Sequence, residues 1–197
     1  MSDAASIVQA GAPVLRRAAE ALTPELIRSA ETRALIARMR DLMRAASGVG
    51  LAAPQAGVGL QIAVVELTRE GLTRRDAARN AELEMEEVPF QVLINPRLTV
   101  LDATPRRFFE GCLSLAGMTA VTPRARSVRV ESLDEEGNAV TTVAHGWFAR
   151  ILQHEIDHLH GALYVDRMLP RSFMSNEAFR AHWAGRSADE IVAALEA

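Results

Sequence analysis

Between Gly146 and Gly161 the chain reads GWFARILQHEIDHLHG, and this run constrains the fold more than any other. Residues 146 to 160 read as one helix, with Gly161 placed as its C-terminal stop. Positions four apart on a helix lie one above the other on the same face, so His154 and His158 present two imidazoles to one point. Glu155, one step round, is placed to contact a water at that point without being forced to ligate. The H-E-x-x-H spacing lets one rigid turn supply two metal ligands and a base. The same spacing also occurs on ordinary solvated helix faces. A catalytic metal here needs a third protein ligand and an open position, and the fold must carry that ligand to this turn.

The extended form of the motif, with a third histidine further along the chain, is absent. Two candidates remain. Glu177 lies 19 residues beyond His158, a spacing open to a glutamate-ligated zinc endopeptidase. Cys112, the only cysteine, stands in EGCLS. A thiolate is a good ligand for Zn²⁺ or Fe²⁺, and metal binding deprotonates it at neutral pH. A lone cysteine is otherwise a small, inert core residue.

A third segment, GVGLAAPQAG from Gly48 to Gly57, bears on the choice. Its glycine spacing resembles a dinucleotide-binding fingerprint. An amphipathic helix precedes it where a strand is required, and Pro54 blocks continuation into a helix, so the nucleotide reading fails. Two glycines instead indicate backbone that comes close to something, and Gln55 offers a side-chain amide donor.

Gly48-Val49-Gly50-Leu51-Ala52-Ala53-Pro54-Gln55, Glu110-Gly111-Cys112-Leu113-Ser114 and Gln153-His154-Glu155-Ile156-Asp157-His158 together resemble the three signature motifs of the peptide deformylase family, in that family's order. The similarity extends more loosely from about Ile7 through Met168. The resemblance implies a metal-dependent hydrolase that removes the formyl group from the N-terminal formyl-methionine of nascent chains, releasing formate. It implies Cys112, His154 and His158 as metal ligands. The metal it implies is Fe²⁺, one per chain, with Zn²⁺, Ni²⁺ or Co²⁺ as substitutes. Glu155 is implied as general base beside a metal-held hydroxide, and Gln55 and the Leu113 backbone N–H as oxyanion donors. Val49, Gly50, Phe108, Gly111 and Ile151 are implied to border the bound formyl-methionyl peptide. The fold it implies is α+β, with antiparallel strands wrapped around the helix that bears His154 and His158.

Other signals place these motifs. Thr23-Pro24-Glu25 opens a short helix with an N-cap and a proline at the first helical position. From about Thr32 to Ala46 apolar residues recur at helical spacing, and Gly48 is expected to end that helix. Gln61 to Leu67 reads as a buried strand, and Phe90 to Ile94 as another, closed by an Asn95-Pro96 turn. Residues 68 to 88 read as a solvated, charged excursion. Val128 and Val130 alternate with polar residues before DEEGN turns the chain into Ala139 to Val143, a hairpin. A last helix runs from Ser187. The expectation is one catalytic domain over residues 1–197 with a helical tail from about 170.

Composition excludes much else. All 22 basic residues are arginine. Without lysine there is no Schiff-base lysine, no P-loop lysine and no kinase-type catalytic lysine. A net charge of -3 gives no general reason to expect nucleic-acid binding. One cysteine permits no intrachain disulfide, and Asp3, Glu20 and Glu25 argue against an organelle-targeting segment, so the cytoplasm is the expected location with no membrane partner. Arg124 reads as a structural ion pair or a substrate contact. Arg150 stands where many relatives of this pattern have an aliphatic residue. The acidic ending DEIVAALEA lacks the basic helix by which some members of the family dock on the ribosome. Two rival functions stay open at this point, a zinc endopeptidase using Glu177 and a non-catalytic binder of formylated N-termini.

Overall fold

The computed structural model describes residues 6–73 and 76–196. Helix α1 (Pro24–Ile27) starts as its sequence directs, with the Thr23 hydroxyl accepting the Leu26 N–H at 3.4 Å and Pro24 in the first turn. Ser29 caps α2 (Ala30–Ala45) by accepting the Thr32 N–H at 3.1 Å. The end of α2 differs from expectation. Ser47, not Gly48, takes the left-handed conformation, with φ 53°. Its N–H donates to the Arg44 carbonyl and that of Gly48 to the Met43 carbonyl, a Schellman closure. Gly48 serves another purpose, because a Cβ there would stand 2.8 Å from Leu113 Cδ1.

Five antiparallel strands follow in spatial order, β1 (Gly50–Ala52), β2 (Ile62–Leu67), β3 (Val88–Cys112), β4 (Leu115–Leu133) and β5 (Ala139–His145). The two-residue β6 (Met174–Ser175) pairs with the far end of β4. Asn95-Pro96 is not the expected turn, because β3 continues through it to Cys112. The register shifts between Ile94 and Arg97, and Asn95 adopts φ 51°, so a bulge absorbs the irregularity. The Asn95 amide bonds both backbone groups of Leu22, at 2.9 and 2.8 Å, which holds that conformation. The β4–β5 hairpin is as expected, with Asp134 accepting the N–H groups of Glu136 and Asn138.

The charged excursion is more than solvated surface. It forms α3 (Arg69–Thr73) and α4 (Ala77–Glu82), then buries Leu83, whose carbonyl accepts the Trp147 N–H at 2.9 Å.

Helix α5 (Gly146–Leu159) runs through the curve of the sheet, and 12 of its 14 residues are buried. Ala149, Leu152 and Ile156 pack against Val65, Leu93, Val128 and Val130. On the other side of the sheet, Met39 and Met43 of α2 pack on Leu51, Ile62, Val64 and Ile94. Each such fully buried side chain stabilises the fold by about 1.5–3 kcal/mol over its exposed state. Gly161 closes α5 as expected, at φ 75°, with its N–H donating to the His158 carbonyl and that of Ala162 to the Asp157 carbonyl. The chain ends in α6 (Asn176–His182) and α7 (Ala188–Glu196). Ser187 and Glu190 cap α7 reciprocally, and Val192 packs on Val121. The architecture is α+β.

Candidate metal centre

Strand β3 ends at Cys112, where the strand delivers its thiol to the buried face of α5. Cys112 Sγ lies 3.3 Å from His158 Nε2, which lies 3.2 Å from His154 Nε2. Among the described residues this is the group of ligating side chains able to hold a metal ion. A tetrahedral site with metal–nitrogen bonds of about 2.0–2.1 Å and a metal–sulfur bond of about 2.3 Å has edges of roughly 3.3–3.6 Å, close to those found. Two facing imidazole nitrogens this near need a proton or a cation between them. The donor set fits a divalent cation. Glu177 is exposed on α6 and is not part of this group, so the endopeptidase reading loses its third ligand.

Behind the ligands stands a buried charge network. His154 Nδ1 donates to Glu110 Oε1 at 2.5 Å, which leaves Nε2 with its lone pair toward the metal position. Arg124 grips both Glu110 oxygens, at 2.6 and 3.1 Å, and Arg150 Nε reaches Oε2 at 3.2 Å. Arg124 also reaches Asp157 at 2.5 Å, and Arg167 holds Asp157 with two bonds at 2.6 and 2.7 Å. Burial acts to raise the Glu110 pKa, but His154 and the two arginines outweigh it and hold the carboxyl well below its usual range. Burial likewise opposes protonation of His154. Its bonds to Cys112 and Glu110 win, holding His154 well above the ordinary value. Burial and the His154 charge push His158 well below.

Glu155 lies beside the ligands and is 4% exposed. Its carboxyl rests against the backbone of β1, where a Cβ on Gly50 would be 2.3 Å from Oε1. Burial pushes its pKa up to about 7, against the lowering effect of His154. Oε2 makes no hydrogen bond among the described residues. Gln55 sits in a short 3-10 turn after β1. Its Oε1 accepts the Ala52 N–H at 2.8 Å, which fixes the amide and aims Nε2 at Cys112 Sγ, 3.4 Å away, and Ser114 Oγ, 3.3 Å away. The Ser114 N–H also donates to the sulfur at 3.4 Å.

A groove of about 1320 Å³ opens over this cluster. Val49, Gly50, Gly111, Leu113 and Ile151 line it. Phe108 does not. It is buried in the core, with the Arg106 and Arg150 guanidinium groups 5.3 and 5.7 Å from its ring centroid, and Phe109 lines the groove instead. Successive residues of a strand face opposite sides, so Phe109 rather than Phe108 faces the groove.

The sequence assigns no role to Glu110, although it opens the EGCLS motif. Arg124 proves to be the buried ion pair. Arg150, which in sequence is only a departure from the common aliphatic residue, donates to the Phe108 and Phe109 carbonyls as well as to Glu110. A charged residue one turn before His154 was the available signal. The contributions of Trp147 and Leu83 to the groove carried no signal in the sequence.

Residues 4–173 match the model of the polypeptide deformylase family. The chain belongs to that family. Peptide deformylase 3 of Streptomyces avermitilis is 46% identical over 189 residues, which span 96% of this chain and 82% of the relative. The solved peptide deformylase of Synechococcus elongatus in complex with actinonin is 35% identical, with a TM-score of 0.70, covering 85% of this chain and 80% of its own. A Met-Ala-Ser bound class I type b peptide deformylase from Acinetobacter baumannii is 30% identical, with a TM-score of 0.74, covering 85% of this chain and all of its own. Like the rest of the family, this deformylase is a metal-dependent hydrolase that removes the N-terminal formyl group from nascent polypeptides. Among its described residues no helix is long and apolar enough to cross a membrane.

Proposed function

We propose that Cys112, His154 and His158 hold one metal ion, natively Fe²⁺ with Zn²⁺, Ni²⁺ or Co²⁺ able to substitute, and that Glu155 is the acid–base group of deformylation. The observation that carries this reading is the meeting of a thiol from β3 and two imidazole Nε2 atoms from α5 beside a buried, otherwise unbonded carboxylate oxygen. When bound, the metal supplies a Lewis acid and lowers the pKa of water to about 7.

The chain's own groups do the rest. Glu155, desolvated and backed by Gly50, takes a proton at its free oxygen and returns it to the departing amine. The Gln55 Nε2 group and the Leu113 N–H are the donors for the negative charge that develops on the formyl oxygen. Ser114 supports the thiolate through its backbone N–H, and Glu110 fixes the His154 tautomer. Val49 and Ile151 border the methionine side chain, while Gly50 and Gly111 offer backbone to the peptide. A binding module has no use for a buried base, which disfavours the non-catalytic reading.

The substrates on this reading are formyl-methionyl nascent peptides in the cytoplasm, the Met-Ala-Ser bound to the Acinetobacter relative marking the kind of chain involved. The test is formate release from formyl-Met-Ala-Ser by iron-loaded protein prepared without oxygen, beside Glu155→Ala. Release by the wild type and loss of release with retained metal in the variant support the reading. No release by fully loaded wild type overturns it.

A further inference from the structure

The family match ends at Phe173, yet the chain does not leave the site there. Strand β6 adds Met174 and Ser175 to β4 opposite Thr119 and Met118, and this pairing turns α6 back along the β3–β4 hairpin. Helix α7 anchors the segment, with Ile191 fully buried and Val192 packed on Val121. So held, Asn176, Phe179 and residues 184–187 line the same groove as Cys112 and Glu155.

Phe179 is the centre of this wall. Its ring meets that of Phe109 at 4.6 Å between centroids, with planes tilted by 52°. Both rings are only half-buried, and with Leu115 and Met118 they face the groove. An aromatic pair left half-open among apolar neighbours is a surface that an apolar side chain can cover. The groove itself, at about 1320 Å³, is larger than the ~300–1,000 Å³ that suits a small ligand. Phe109 precedes Cys112 by three residues on β3, about 10 Å at ~3.3 Å per residue. An extended peptide advances at the same rate. A substrate with its formyl end at Cys112 therefore brings its third and fourth residues to Phe109 and Phe179.

We propose that Met174–Ser187, beyond the family match, is a substrate-reading wall, and that Phe179 with Phe109 forms a subsite for an apolar side chain at the third or fourth residue of the formylated peptide. The inference rests on the deformylase reading of the metal centre. Phe179 acts by positioning the chain, and no bond-making step is assigned to it.

The test compares kcat and KM of the wild type, Phe179→Ala and Phe179→Leu, each metal-loaded, on formyl-Met-Ala, formyl-Met-Ala-Leu-Leu and formyl-Met-Ala-Glu-Glu. The wild type is expected to favour the leucine peptide over the glutamate peptide. Phe179→Ala is expected to reduce that preference about tenfold, the range in which apolar pockets discriminate, through KM rather than kcat. Phe179→Leu, which keeps an apolar side chain and secures the test if the alanine variant fails to fold, is expected to lose about a third of that effect. A preference unchanged in the folded variants, or absent in the wild type, overturns the proposal. Failure of the wild type to release formate even from formyl-Met-Ala overturns the deformylase reading itself, so the two failures are distinct.

Discussion

His154 Nδ1 donates to Glu110 at 2.5 Å, and the same carboxylate receives three bonds from Arg124 and Arg150. The ligand is thereby oriented by a group that is itself held on two sides. Glu110→Gln keeps the shape but removes the charge that neutralises both arginines. Metal affinity is expected to fall about 10–100-fold, the usual effect of losing such a partner. Competition with a chelator of known affinity measures it, and wild-type affinity in the variant would remove this role from Glu110.

Gly50 lies where any side chain meets Glu155. A methyl group there would stand 2.3 Å from Oε1 and 2.7 Å from Cδ, so the carboxyl must move. Gly50→Ala is expected to lower kcat about 100-fold, the scale of a 1 Å misplacement, while metal content stays normal. Steady-state formate release with metal analysis of the same sample decides it. Normal turnover would show that Glu155 tolerates displacement.

The ligand set separates two substitutions sharply. Cys112→Ser is expected to lose most bound metal, and Glu177→Ala to keep it, because Glu177 lies on the exposed side of α6. Elemental analysis of both purified proteins distinguishes the outcomes. Retained metal in the first variant with loss in the second would revive the endopeptidase reading.

Gln55 has its amide oriented by the Ala52 N–H. If its Nε2 group supports the developing oxyanion, Gln55→Ala turns over about 10²–10³-fold more slowly with its metal in place. A variant with near-normal kcat would take that role away.

Gly161 is needed for two reasons at once. Its φ is 75°, and a Cβ would approach the backbone of Arg16 and Arg17 to 2.9–3.0 Å. Gly161→Ala is expected to destabilise the fold by about 1–3 kcal/mol, since the αL penalty and the clash add. Thermal unfolding of the two proteins side by side gives the difference, and an unchanged midpoint would mean that the Arg16–Arg17 segment yields freely.

Much of this was legible in the sequence because it is local. The helix cap at Thr23, the turn at Asp134–Asn138 and the end of α5 at Gly161 depend on residues a few positions apart. The two imidazoles and Glu155 belong to the same class, being fixed by the pitch of one helix. What was not legible depends on distant partners. Asn95 forms a bulge rather than a turn because its amide finds Leu22, 73 residues away. Phe109 rather than Phe108 faces the groove because successive residues of β3 point to opposite sides, which position in a motif does not reveal. The cage around Glu110 draws arginines from β4 and α5, and no spacing announces such a meeting. Arg124 was open between two roles for the same reason. Its partner Asp157 sits inside the helical motif, hidden by the histidines on either side.

The three ligands come from two elements that are far apart along the chain. His154 and His158 share one turn of α5, whereas Cys112 hangs at the end of β3, on the other side of the whole β4–β5 excursion. An ion bound by all three is therefore a clasp that closes a loop of about forty residues in the folded chain, and unlike a disulfide it stabilises that state by binding it and not the unfolded one. Because only the folded chain brings the three donors together, occupancy and folding are linked by mass action. A chain without any cystine has in this way placed its one sulfur where a cross-link is reversible and set by the free concentration of an ion.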